Sequence, residues 1–76
     1  MATKWLSLTS NEWTKINEGA CLIQKNAPWE VKVFIGTDDP DDTSPYGIWD
    51  YGDFEYDGSE NVYMKCREPT RLTIFT

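Results

Sequence analysis

The stretch Glu30-Val31-Lys32-Val33-Phe34-Ile35 alternates charged or aromatic residues with β-branched ones. A period of two is the signature of a half-buried β-strand, since successive side chains leave a strand on opposite faces. It predicts a strand with Val31, Val33 and Ile35 on one face, turned to a core. Outward from this strand the same period recurs. Val62-Tyr63-Met64-Lys65-Cys66-Arg67 places Val62, Met64 and Cys66 inward, and Arg71-Leu72-Thr73-Ile74-Phe75 offers Leu72 and Ile74. Asp53-Phe54-Glu55-Tyr56-Asp57 sets Phe54 and Tyr56 against three outward carboxylates. Cys21-Leu22-Ile23-Gln24 and Trp13-Thr14-Lys15-Ile16 are shorter candidates, and Lys4-Trp5-Leu6-Ser7-Leu8 is a possible first strand with Trp5 facing away from Leu6 and Leu8.

Turn residues separate these runs: Asn17-Glu18-Gly19, Asn26-Ala27-Pro28, the loop from Thr37 to Pro45, Gly47, Gly52, Asp57-Gly58 and Glu68-Pro69. Their chemistry supplies positive or fixed φ angles. One strand plus turn every ten residues or so reads as an all-β domain, a small antiparallel β-sandwich or barrel of about six to eight short strands. Asp57-Gly58 suggests a hairpin joining the Phe54 and Val62 runs. Ser10-Asn11-Glu12-Trp13 has the chemistry to begin one helical turn, and no segment carries a longer helical period.

At 76 residues the chain makes a single domain spanning 1–76. Its size limits net stability to the order of 5 kcal/mol. Met1 to Ser10 lacks the apolar run of a secretory signal, and no stretch approaches the roughly 20 apolar residues of a membrane helix. The expectation is synthesis in a cytoplasm, with the whole sequence as the mature form. Cys21 and Cys66 permit one bridge, which would close a long loop; in a cytoplasmic setting two buried free thiols are the expected state.

Thirteen acids against seven bases give a net charge of −6, and there is no histidine. A chain of this charge repels phosphate backbones and anionic lipid, so neither nucleic acid nor a membrane is an expected partner. Without histidine the Ser-His and Cys-His nucleophile pairs and the usual zinc sites are missing. No catalytic residue and no cofactor is expected, and paired carboxylates in so short a chain rarely find the deep cleft that glycoside hydrolysis demands.

The acids are concentrated. Nine of them fall between Asp38 and Glu60, while all seven bases lie outside the stretch from Val33 to Met64. Asp38-Asp39-Pro40-Asp41-Asp42 has the oxygen density a calcium ion wants. Asp53, Glu55, Asp57 and Gly58 mimic the opening of an EF-hand loop, but the position for the closing bidentate carboxylate holds Met64. Solvated acids on a half-exposed strand account for the second pattern equally well. A one-signed surface also suits docking to a basic partner, or to the basic ends of another copy.

Eleven aromatic rings are more than a core of this size encloses. The densest stretch is Tyr46-Gly47-Ile48-Trp49-Asp50-Tyr51-Gly52-Asp53. Tyr46, Trp49 and Tyr51, with Trp29 and Phe34, form the candidate interaction surface. Such rings fill cores, anchor protein–protein contacts, or stack on sugars when acids stand beside them; the last makes a carbohydrate-binding module using Trp49, Tyr51 and neighbouring acids the alternative function.

Trp13-Thr14-Lys15-Ile16-Asn17-Glu18-Gly19 followed by Cys21-Leu22-Ile23-Gln24 resembles the opening of small tailed-bacteriophage virion proteins. Val31-Lys32-Val33-Phe34-Ile35-Gly36 before Thr37-Asp38-Asp39-Pro40, and the late strand Val62-Tyr63-Met64-Lys65-Cys66, look like that group as well. The resemblance runs from about Trp13 to Ile74; the chain departs from it in the acidic loop and the two cysteines. It implies a non-enzymatic virion protein, decorating a capsid or belonging to a tail or fibre. The implied partners are its own copies, often three, and other virion proteins.

Overall fold

A computed structural model describes residues 2–76. Eight strands follow one another: β1 (Thr3–Leu8), β2 (Thr14–Glu18), β3 (Cys21–Lys25), β4 (Val31–Gly36), β5 (Gly47–Trp49), β6 (Phe54–Tyr56), β7 (Asn61–Lys65) and β8 (Thr70–Phe75). They form two antiparallel four-stranded sheets, ordered β1-β8-β3-β6 and β2-β7-β4-β5. The pairing is nested. β1 pairs with β8, β2 with β7, β3 with β6 and β4 with β5, and the β3–β8 and β4–β7 pairs complete the sheets. A long hairpin wrapped round itself in this way is an eight-stranded jelly roll, a two-sheet sandwich. Its two ends are held together, with Ala2 and Thr76 exchanging backbone hydrogen bonds of 2.9 Å.

The core is drawn from the alternating runs. Leu8, Ile16, Ile23, Val31, Val62, Met64, Leu72 and Ile74 are each at most 2% exposed, and Phe54 and Tyr56 pack against them from β6. Cys21 and Cys66 are buried free thiols, and burial raises the Cys21 pKa. In β2 the register with β7 shifts between Lys15 and Asn17. The extra residue of this bulge, Ile16, turns its side chain into the core.

Four details depart from the sequence expectations. Gly47–Trp49 is a strand, too short and too rich in turn residues around it to declare itself. Asp57-Gly58 does not close a hairpin: β6 belongs with β3 and β7 with β2 and β4, so the segment crosses between sheets. There the Tyr56 hydroxyl accepts the Glu60 N–H at 3.0 Å. Ser10 to Trp13 bends without a helical turn. Ile35 is 38% exposed rather than buried, because β5 pairs only with Val31 to Val33 and leaves the end of β4 uncovered on that side.

Candidate functional site

The residues with outward side chains on the second sheet build one surface. Val62 and Met64 of β7 point into the core, so Tyr63 and Lys65 stand on the outer face. Register places Tyr63 opposite Lys15 on β2 and Phe34 on β4, and Lys65 opposite Lys32, whose other neighbour is Ile48 on β5. Trp13 enters from the segment before β2. Its ring meets Phe34 at 6.2 Å and Tyr46 at 6.4 Å, and Phe34 meets Tyr63 at 6.0 Å. Lysines cover two of these rings, Lys32 over Tyr46 at 4.8 Å and Lys65 over Trp13 at 5.6 Å.

The acidic loop lies across this face. Tyr63 donates its hydroxyl hydrogen to Asp39 Oδ1 at 2.8 Å, and Lys65 Nζ stands 3.8 Å from Asp42 Oδ1. Tyr63 is therefore only 4% exposed although it sits on the outer side of the sheet, and the carboxylate raises its pKa by favouring the protonated, donating phenol. At the loop tip Asp41 Oδ1 accepts from the Thr43 N–H at 2.9 Å, from the Thr43 hydroxyl at 2.7 Å and from the Ser44 hydroxyl at 3.3 Å. These donors hold the Asp41 carboxyl below the usual carboxylate range. The loop carboxylates thus turn to different partners, and among the described residues no three acidic or thiol groups converge as cation ligands.

The five residues singled out from the sequence separate. Phe34 and Tyr46 belong to the aromatic face, Phe34 half-buried and Tyr46 half-exposed. With Pro45, Ile48 and Phe54 they line an apolar groove of about 520 Å3 at the edge where β5 lies over β6. Trp29 is 40% exposed and floors a second cleft of about 300 Å3, edged by Glu30, Lys32, Lys65, Arg67 and Glu68. Its Nε1–H donates to Thr70 Oγ1 at 2.6 Å. Tyr51 stands alone, 86% exposed in the turn before β6. Trp49 is a correction: it is buried beside Phe54 at 5.7 Å, with its Nε1–H on the Gly52 carbonyl at 2.9 Å, and borders the groove as part of its wall rather than standing out as an exposed ring. Its β5 position opposite Val31 turns it inward, which the sequence hid because β5 itself was hidden.

Two residues that matter were not singled out as site residues. Trp5 is strongly exposed on the other sheet, under the Arg71 guanidinium at 5.0 Å. Lys25 donates to the carbonyls of Trp29 (2.6 Å), Trp49 (3.1 Å) and Asp50 while its ammonium lies 5.3 Å from the Trp49 ring. It ties the loop carrying Trp29 to the turn carrying Tyr51.

Compared with protein-family models, curated proteins and solved structures, the chain matches none of them. The reading of its function rests on its own residues.

Proposed function

We propose that the chain is a non-enzymatic structural module of a phage virion, a capsid decoration or a tail- or fibre-associated protein, working by assembly with its own copies and with other virion proteins. One observation carries this reading: Trp5, Trp29, Ile35, Tyr46, Ile48 and Tyr51 remain exposed on a sandwich whose core is already filled. Aromatic anchors of this kind supply most of the energy of protein contacts. The jelly-roll order agrees with it, since capsid domains use that architecture, although a fold never fixes a function alone. The test is mass spectrometry of gradient-purified particles from cells that carry the coding sequence within its own genome. The chain is expected at stoichiometric copy number, with capsid or tail genes adjacent; particles lacking it refute the proposal.

The alternative, a carbohydrate-binding module, has an observation of its own in the Trp29 cleft, where an exposed indole lies among charged groups. Lectin domains also use jelly rolls. Binding to a glycan array that disappears in Trp29→Ala favours this alternative, and an array without hits removes it. Trp49→Ala is no test of it, because the ring is in the core.

A further inference from the structure

Lys32 and Lys65 are direct cross-strand neighbours on β4 and β7. Like charges so placed repel and cost stability. Arg67 follows two residues later at the same cleft, bringing a third positive charge. Glu30 and Glu68 line the same cleft, but among the described residues the one carboxylate within ion-pair reach of these three cations is that of Asp42, 3.8 Å from Lys65 and itself 98% exposed. Among the described residues Lys32 and Arg67 make no ion pair. The cations sit where β4 begins. The acids leave from the other end of β4 on the loop of Thr37 to Tyr46, far longer than the two to five residues that usually close adjacent strands. Loop and cleft occupy the same outer face.

We infer that this face is the contact surface between two copies of the chain, the Asp38–Asp42 loop of each copy meeting the Lys32, Lys65 and Arg67 cleft of the other. The inference rests on the self-assembly part of the proposed function and names its surface. Charge complementarity argues for this occupant. A surface on which a loop dense in acids stands beside a cleft with three cations can meet a second copy of itself about a two-fold axis, so each loop-to-cleft contact is made twice. The loop's own Asp42, 3.8 Å from Lys65, shows that a carboxylate can approach this cation from the solvent side. Tyr46 and Ile48, each about half exposed on the same side, add apolar area. A standard contact of about 800 Å2 per partner needs only about a sixth of the 4958 Å2 surface.

Sedimentation equilibrium of the full chain tests it. The expected result is a concentration-dependent dimer at low salt that dissociates near 1 M salt, where the screening length falls to about 3 Å. Asp42→Lys alters a side chain that is 98% exposed, so the fold is not at stake; it raises the dimer dissociation constant by about tenfold or more. Lys32→Glu does the same. Mixing the two variants restores a heterodimer, because the reversed loop of one then faces the reversed cleft of the other. Association that ignores salt and both variants overturns this surface and leaves self-assembly standing. A strict monomer at high micromolar concentration and low salt overturns both. Two weakened variants that fail to rescue each other show that the loop and the cleft do not meet, which also overturns the inference.

Discussion

Tyr63 illustrates how a single side chain is governed by a segment far from it in sequence. The alternation of β7 assigns it to the outside, and that is where it sits, but Asp39 and the loop around it remove it from water. Its pKa in the fold is raised above the unfolded value, so the associated stabilisation is complete below about pH 10 and is lost as pH climbs through the raised folded value. Melting temperature is therefore expected to fall on the alkaline side in step with tyrosinate absorbance. In Asp39→Asn the Tyr63 titration returns toward its ordinary value and the alkaline fall becomes smaller. Lys25 makes a second point at this scale. With three carbonyls satisfied by one ammonium, Lys25→Met is expected to cost about 2 kcal/mol, read as a lower denaturant midpoint, with faster amide exchange around Trp29 and Asp50. Neither role shows in the sequence, where Tyr63 and Lys25 are just the polar partners of an alternating strand.

At the level of elements, most of the architecture could be read directly. Six strands declare themselves through at least two core or core-packed residues in alternation, as Leu72 and Ile74 do in β8, and β2, which gives the core Ile16 alone, through the short run Trp13-Thr14-Lys15-Ile16. The eighth had only Trp49, framed by Gly47 and Asp50, and three residues are too few to establish a period. Partner choice was illegible for another reason. Asp57-Gly58 has the local chemistry of a hairpin turn, but the nested order gives β6 and β7 to different sheets, and pairing over long separations leaves no mark on neighbouring residues. Of the candidate site, Phe34 and Tyr46 were found together, whereas Trp49 depended on the strand that had not been recognised. Two predictions belong here. Leu72 is fully buried in β8, between β1 and β3, so Leu72→Ala is expected to cost about 2–5 kcal/mol, enough to leave a small domain largely unfolded by circular dichroism. Gly19 turns β2 into β3 at φ 88°, a backbone an L side chain resists, and Gly19→Ala is expected to lose about 1 kcal/mol in chemical denaturation.

For the molecule as a whole, the nested order sets how the chain folds. Only β4 and β5 are neighbours in both sequence and sheet; every other pair must close a longer excursion first. Two-state sandwiches with such remote pairing fold in about milliseconds to seconds, and stopped-flow tryptophan fluorescence is expected to give a single phase in that range, the burial of Trp49 providing the signal. The same order governs what can be attached to the domain. Because Ala2 and Thr76 are bonded to each other, a polypeptide entering at one end leaves within a few ångströms of where it came in. The sandwich can thus be spliced into a surface loop of an unrelated host protein without prising that loop apart, and joining its own ends to open new ones elsewhere calls for little more than a short linker.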